Sequence, residues 1–284
     1  MIVDSHTHIV ATDAVRYPLS PRSLSGEWYK EAPCSAEGLM AAMDQAGVDR
    51  AILVQPMGAY SFDNRYTADS ARAHPDRFVS ACCIDPDADG PVETLTDWVE
   101  GHGMRGVRLF ALSRGESWLA SAHTFPIWER AAELGIHVIV TIFAHQFPDL
   151  RRMLERYPTV PVSLDHCAFP DPAAPEALLA LADLGNLHLK VSTHVLDAAT
   201  RAEGGAKLFL ERLVKVFGAD RVMWGSDFCQ THDRSYAELV ALARDAFGDL
   251  GEKDRQACLG GTAARLWPDL AGLRGRPPEA PLGG

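Results

Sequence analysis

Residues 2–9 read IVDSHTHI, and the way this stretch folds decides how the rest of the chain is read. In a β-strand successive side chains point to opposite faces, so Ile2, Asp4, His6 and His8 share one face. Two imidazoles about 7 Å apart on such a face can converge on one ion or one substrate oxygen. An isolated His-x-His pair is equally an ordinary pair of packed or solvated side chains. Its meaning depends on what the chain sets beside it.

Seven more short apolar runs follow: RAILVQP (50–56), FVSACCI (78–84), MRGVRLF (104–110), HVIVTIF (137–143), PVSLDHC (161–167), LHLKVS (187–192) and VMWGSDF (222–228). Most are nearly continuous in Val, Ile and Leu, the pattern of parallel strands buried on both faces. Helical patterns lie between them. After Ser35, Leu39, Met40, Met43 and Ala46 fall on one face and Gly47 supplies a stop. Ser235 and Glu238 form a capping box, and Gly248 ends that segment. Leu150, Met153, Leu154 and Tyr157 recur at helical spacing until Pro158. Strands alternating with helices in this way predict one closed (β/α)8 TIM barrel over residues 1–270. The rival, a doubly wound open sheet, lacks a Gly-rich phosphate loop after its first strand.

Two stretches break the rhythm. Residues 10–34, containing Trp28 and Tyr29, are too long for a connector and are expected to contribute to substrate binding. The tail at 271–284 is rich in Pro and Gly and is expected to be disordered.

The 284 residues carry a net charge of -11 with no basic run, which argues against nucleic acid or an anionic membrane as partner. No apolar stretch nears the roughly 18–20 residues of a membrane span, and no signal peptide is expected. Cysteines 34, 82, 83, 167, 229 and 258 form no CxxC pair, which suggests reduced thiols in a cytoplasm. The chain is expected to be a monomer or homodimer acting on a small molecule.

In such barrels chemistry sits at the C-terminal strand ends. His8, Arg108, His166 and Asp227 all fall there, in strands otherwise almost wholly apolar. His6, His8, His166 and Asp227 suit a divalent cation such as Zn²⁺ or Mn²⁺, whose bound water ionises near neutral pH. Without a metal, Asp227 deprotonates water while the histidines polarise a carbonyl. Arg108 suits bidentate binding of a carboxylate, or an internal salt bridge to Asp4 or Asp165. Arg114 is a second anion contact or a solvated side chain. Lys190 is expected to be an internal ion-pair partner, His145 to open a helix, and Cys167 and Cys229 to pack. His194 and His232 lie in strand-end loops.

DSHTH, LDHC and WGSDF, together with AGVDRAILVQP, DNRYTADSARAHPDRF, RGVRLF and LGGTAARLW, resemble the amidohydrolase-related barrel hydrolases. The branch they resemble is that of the sugar-acid lactonases and 2-pyrone-4,6-dicarboxylate lactonase, over about Met1 to Trp267. The resemblance implies water attack on a cyclic ester, with Asp227 handling the proton and Arg108 and Arg114 holding a substrate carboxylate. It departs at Thr141, where many metal-binding relatives have histidine, and in STHVLDAA, which lacks an arginine expected for a dicarboxylate. Thr262, where asparagine is usual, reads as structural. A metal-dependent decarboxylase or hydratase of the same superfamily is the second reading, against which Thr141 counts. A non-catalytic barrel is the third.

Overall fold

The computed structural model describes residues 1–22, 26–112, 115 and 117–271. Its centre is one eight-stranded sheet in sequential order. The strands are β1 (Val3–Thr7), β2 (Arg50–Val54), β3 (Phe78–Cys83), β4 (Gly106–Phe110), β5 (His137–Thr141), β6 (Val162–Leu164), β7 (Leu187–Ser192) and β8 (Val222–Gly225). Every neighbouring pair from β1 to β8 is parallel. The sheet closes where residues beyond β8 meet β1: the Asp227 amide donates to the His6 carbonyl at 2.9 Å, and the His8 amide to the Phe228 carbonyl at 2.6 Å. This is the expected (β/α)8 barrel.

Several strands are shorter than their apolar runs. PVSLDHC is strand only over Val162–Leu164, because His166, Cys167, Ala168 and Phe169 all take positive φ, between 50° and 60°. Asp227 does the same at 63°. The left-handed region costs an L-residue about 1–2 kcal/mol, so these turns persist only where surrounding packing enforces them. They take His166 off the ladder and bring both His166 and Asp227 to the rim.

The helices begin and end as their residues dictate. Ser35 accepts from the Gly38 amide at the start of Ala36–Ala46, and Gly47 closes that helix at φ 67°. Ser235 and Glu238 form the reciprocal capping box of Tyr236–Ala246. Leu39 and Met43, like Leu150, Met153 and Leu154 of Phe147–Arg156, are buried against the barrel. Each fully buried side chain of this size contributes about 1.5–3 kcal/mol. No helix among the described residues is long and apolar enough to cross a membrane.

Inside the barrel the N-terminal end is shut. Val3, Ile52, Val54, Val79, Ala81, Ile139 and Met223 pack with Ala263, Trp267 and Leu270 from the C-terminal segment. Gly106 makes room for this plug: a Cβ there would lie 2.9 Å from the His137 carbonyl and against the Trp267 ring. At the other end, the loop after β1 folds into its own cluster, in which Val10, Tyr17, Trp28 and Tyr29 pack with Tyr60 and Cys229. The tail from 272 to 284 lies outside the described residues.

Candidate active site

The rim gathers most of the polar residues singled out in the sequence. His6 lies on β1 and His8 just past its end, with ring centroids 4.9 Å apart, and His166 approaches His6 at the same distance. Asp227 faces both of the first two rings, its Oδ1 lying 3.4 Å from His6 Nε2 and 3.3 Å from His8 Nε2. All four are buried. Gly225 on β8 permits the approach, since a Cβ there would come within 2.7 Å of the His6 Cβ.

Hydrogen bonds fix which ring nitrogens carry protons. His8 Nδ1 lies 2.7 Å from the Val54 carbonyl, which can only accept, so His8 donates there and its Nε2 holds a lone pair. His6 Nδ1 is 3.1 Å from Asp165 Oδ1. A proton on that nitrogen leaves His6 Nε2 as a second lone pair aimed at Asp227. His6 Nε2 and Asp227 Oδ1 are both buried with no hydrogen-bond partner. Two lone pairs and a carboxylate oxygen facing one another repel unless a cation stands among them. His6, His8 and Asp227 have the donor types, spacing and orphaned atoms to hold one divalent ion.

A second group of suitable spacing, His6, Asp165 and His166, is differently committed. Asp165 Oδ1 meets Lys190 Nζ at 3.2 Å as well as His6, and Oδ2 accepts from Arg108 Nε at 2.8 Å and from Thr141 Oγ1 at 2.7 Å. Its oxygens are already saturated by cations and donors. Thr141 thus bridges Arg108 and Asp165 rather than offering a ligand.

Asp227 Oδ2 has other partners, His194 Nε2 at 3.1 Å and Thr231 Oγ1 at 3.3 Å. Burial alone pushes the Asp227 carboxyl up, but the hydrogen bond from His194 and the other histidines around it outweigh this and hold the group well below the usual carboxylate range. Burial lowers His166 to about 4 against the pull of Asp227 and Asp165, and keeps His6 well below its ordinary value. His194, hydrogen-bonded to Asp227, is raised. The centre therefore offers an ionised carboxylate beside the neutral imidazoles of His6 and His166, with His194 the ring readier to carry a proton.

Aromatic rings flank the row of histidines. Trp28 lies 5.9 Å from His8, and Phe169 stacks on His166 at 4.9 Å. Tyr29 meets this set through Trp28, edge-on at 5.8 Å. Arg108 is buried and takes the internal salt bridge to Asp165, its guanidinium 4.9 Å from the Phe110 ring. Arg114 lies outside the described residues. His232 pairs with Glu31 and His145 is exposed at the opening of a helix. Cys167 and Cys229 are buried thiols, the latter pushed up to about 12 by burial. Sequence reasoning left His194 undecided and saw Asp165 only as a partner for Arg108. A strand-end loop histidine and a carboxylate one residue ahead of His166 were the only signals for them.

A closed parallel barrel with imidazoles and an ionised carboxylate converging at its C-terminal mouth defines a barrel enzyme. The chain belongs to the amidohydrolase family, whose model matches residues 3–268. It is 27% identical over 245 residues to a 2-pyrone-4,6-dicarboxylate hydrolase of Comamonas testosteroni, covering 80% of this chain and 76% of that one. A Pseudomonas putida protein proposed to be a 2-pyrone-4,6-dicarboxylic acid hydrolase superposes with TM-score 0.75 at 25% identity, over 94% of this chain and 97% of that one. A Burkholderia multivorans amidohydrolase with bound zinc superposes with TM-score 0.75 at 23% identity, over 94% and 99% of the two chains.

Proposed function

We propose that this enzyme adds water to the acyl carbon of a small cyclic ester bearing an acidic group, opening a lactone to a hydroxy acid. The observation that carries this reading is the meeting of Asp227 Oδ1 with the Nε2 atoms of His6 and His8 at the mouth of an amidohydrolase barrel. The likeness to a dicarboxylate hydrolase supports the acidic cyclic substrate.

Asp227, ionised and held by His194 and Thr231, accepts a proton from water as the water oxygen adds to the acyl carbon. The ring C–O bond then breaks and the departing oxygen takes that proton, so the hydroxy acid leaves with every atom accounted for. His6, His8 and Asp227 would hold a divalent cation such as zinc or manganese, which when bound polarises a carbonyl and eases ionisation of water. In the metal-free alternative one Nε2 must carry an extra proton to hydrogen-bond the carbonyl, a state that burial of His6 opposes. His166, paired through Nδ1 with Ser192 at 2.8 Å, sits close enough to His6 to line the same substrate group. Trp28 and Tyr29 form the apolar flank, and Arg108 and Arg114 are assigned to the substrate's carboxylate. For Arg108 that contact falls to its terminal nitrogens, because Nε is taken by Asp165.

Decarboxylation is disfavoured by Thr141, which is locked to Asp165 and Arg108. Six free cysteines support a reducing compartment. The test is a panel of acidic lactones and aromatic acids, assayed after elemental analysis of protein purified without chelators. One proton released per ring opened, with no CO₂, is the expected result; CO₂ without ring opening would overturn the reading.

A further inference from the structure

Below the histidines lies a charged group of which the proposed chemistry uses only the terminal nitrogens of Arg108. Asp165, Lys190, Arg108 and Thr141 come from four elements, the end of β6 and strands β7, β4 and β5, and none is more than 4% exposed. Burying three ionised groups in a barrel is costly unless each is paired, and replacing such sets by apolar residues is often neutral or stabilising. Stability alone therefore gives little reason to keep them. The geometry gives another.

The His6 ring spans the gap between this group and the mouth. Its Nδ1 lies 3.1 Å from Asp165 Oδ1 and 3.4 Å from Lys190 Nζ, while its Nε2 faces Asp227. Neutral His6 then has two choices. Donating from Nδ1 to Asp165 leaves Nε2 as a lone pair at the mouth. Accepting at Nδ1 from Lys190 moves the proton to Nε2, which donates to Asp227 and cannot bind a cation. The carboxylate is the nearer partner. Lys190 has Asp165 Oδ1 at 3.2 Å for its own proton, while Arg108 and Thr141 hold Oδ2 and so fix the carboxylate's orientation.

We propose that Asp165 is a positioning residue that fixes His6 in its Nδ1–H tautomer, with Lys190, Arg108 and Thr141 orienting the carboxylate, so that the His6 Nε2 lone pair is presented to the site. The backbone of LDHC makes this possible. The left-handed turn at His166 lets consecutive residues serve different levels of the barrel, Asp165 beneath His6 and His166 beside it.

This inference rests on the assigned role of His6, yet its test needs no substrate and can fail or succeed apart from the hydrolase reading. In ¹⁵N-labelled protein without metal, long-range ¹H–¹⁵N correlation spectra distinguish the two imidazole tautomers. His6, identified by the signal missing in His6→Gln, is expected as Nδ1–H. In Asp165→Asn the amide nitrogen donates to Nδ1, and His6 is expected to switch to Nε2–H. Affinity for Zn²⁺, read by competition with a chromophoric chelator, is expected to fall about 10–100-fold. Should uncompensated Lys190 prevent that variant from folding, Asp165→Asn combined with Lys190→Met removes both charges and should show the same switch. An Nε2–H pattern in the parent protein overturns the proposal. So does an unchanged Nδ1–H pattern with unchanged zinc affinity in whichever variant folds.

Discussion

The two ends of this barrel both bury histidines, and they use them in opposite ways. At the plugged end His137 Nε2 pairs with Ser163 Oγ at 2.6 Å, its ring lies 4.9 Å from Trp267, and His188 Nδ1 donates to the Val162 carbonyl at 3.1 Å. No carboxylate is within ion-pairing distance of either ring among the described residues, and both are packing side chains with polar handles. At the open end His6 and His8 spend Nδ1 on fixed acceptors and turn Nε2 toward Asp227. Burial is common to both pairs and does not mark a site. What marks it is a carboxylate that leaves lone pairs and a negative oxygen confronting each other.

The sharpest way to break this contrast is at Asp227 itself. Asp227→Asn keeps the shape but removes the proton acceptor, and is expected to cut kcat on an opened lactone by about 10²–10⁴-fold. Circular dichroism would check that the fold survives. Turnover within a few-fold of the parent protein would show that the open end is no more chemical than the closed one.

Metal content separates the ends next. Mass spectrometry of intact protein loaded with Zn²⁺ should find about one ion per chain, a level that His8→Ala abolishes. His137→Gln should leave it unchanged. Two ions per chain would mean that Asp165 is less committed to Lys190 and Arg108 than the geometry shows.

Backbone fit offers a smaller effect. Gly225→Ala and Gly106→Ala each force a Cβ into occupied space, against His6 at one end and against the His137 carbonyl and Trp267 at the other. Each should cost about 1–3 kcal/mol in chemical unfolding. Only Gly225→Ala should also impair kcat in the folded protein, because it displaces a site residue.

The mildest test is titration of the closed end. Burial lowers His188 to about 4 and holds His137 well below 6.5. Both rings are thus neutral when folded and protonate more readily when unfolded. Their contribution is fully present above pH 6.5 and is lost as pH falls from there toward 4. His188→Asn should flatten the fall in melting temperature between pH 6.5 and 4.5, and an unaltered slope would remove His188 from the account.

The strands and the helix caps were legible because they are local: apolar runs, Ser35 with Gly47, and Ser235 with Glu238 all act within a few residues. His6, His8, His166 and Asp227 were legible because polar groups at strand ends interrupt an apolar pattern. Asp165 was harder to place. PVSLDHC reads as continuous strand, which would send Asp165 and His166 to opposite faces, and only the left-handed backbone that begins at His166 lets both serve the site. His194 eluded the reading because its partner, Asp227, lies on another strand's loop and their meeting depends on barrel closure. Trp267 as the plug of the closed end was hidden for the same reason, since nothing near it in sequence shows what it fills.

The seam between β8 and β1 has a consequence for when the site comes into being. Asp4 accepts from the Ser226 amide at 2.8 Å across a sequence separation of 222 residues, and Asp227 reaches the imidazoles only through the same closure. A growing chain emerges N-terminus first, so its histidines are made long before their carboxylate. Until the last strand has been synthesised and docked, the polypeptide holds imidazoles without the carboxylate they face. Under the proposed mechanism, catalytic competence arrives in one step with the completed ring of strands, and a chain truncated before residue 222 should have none of it.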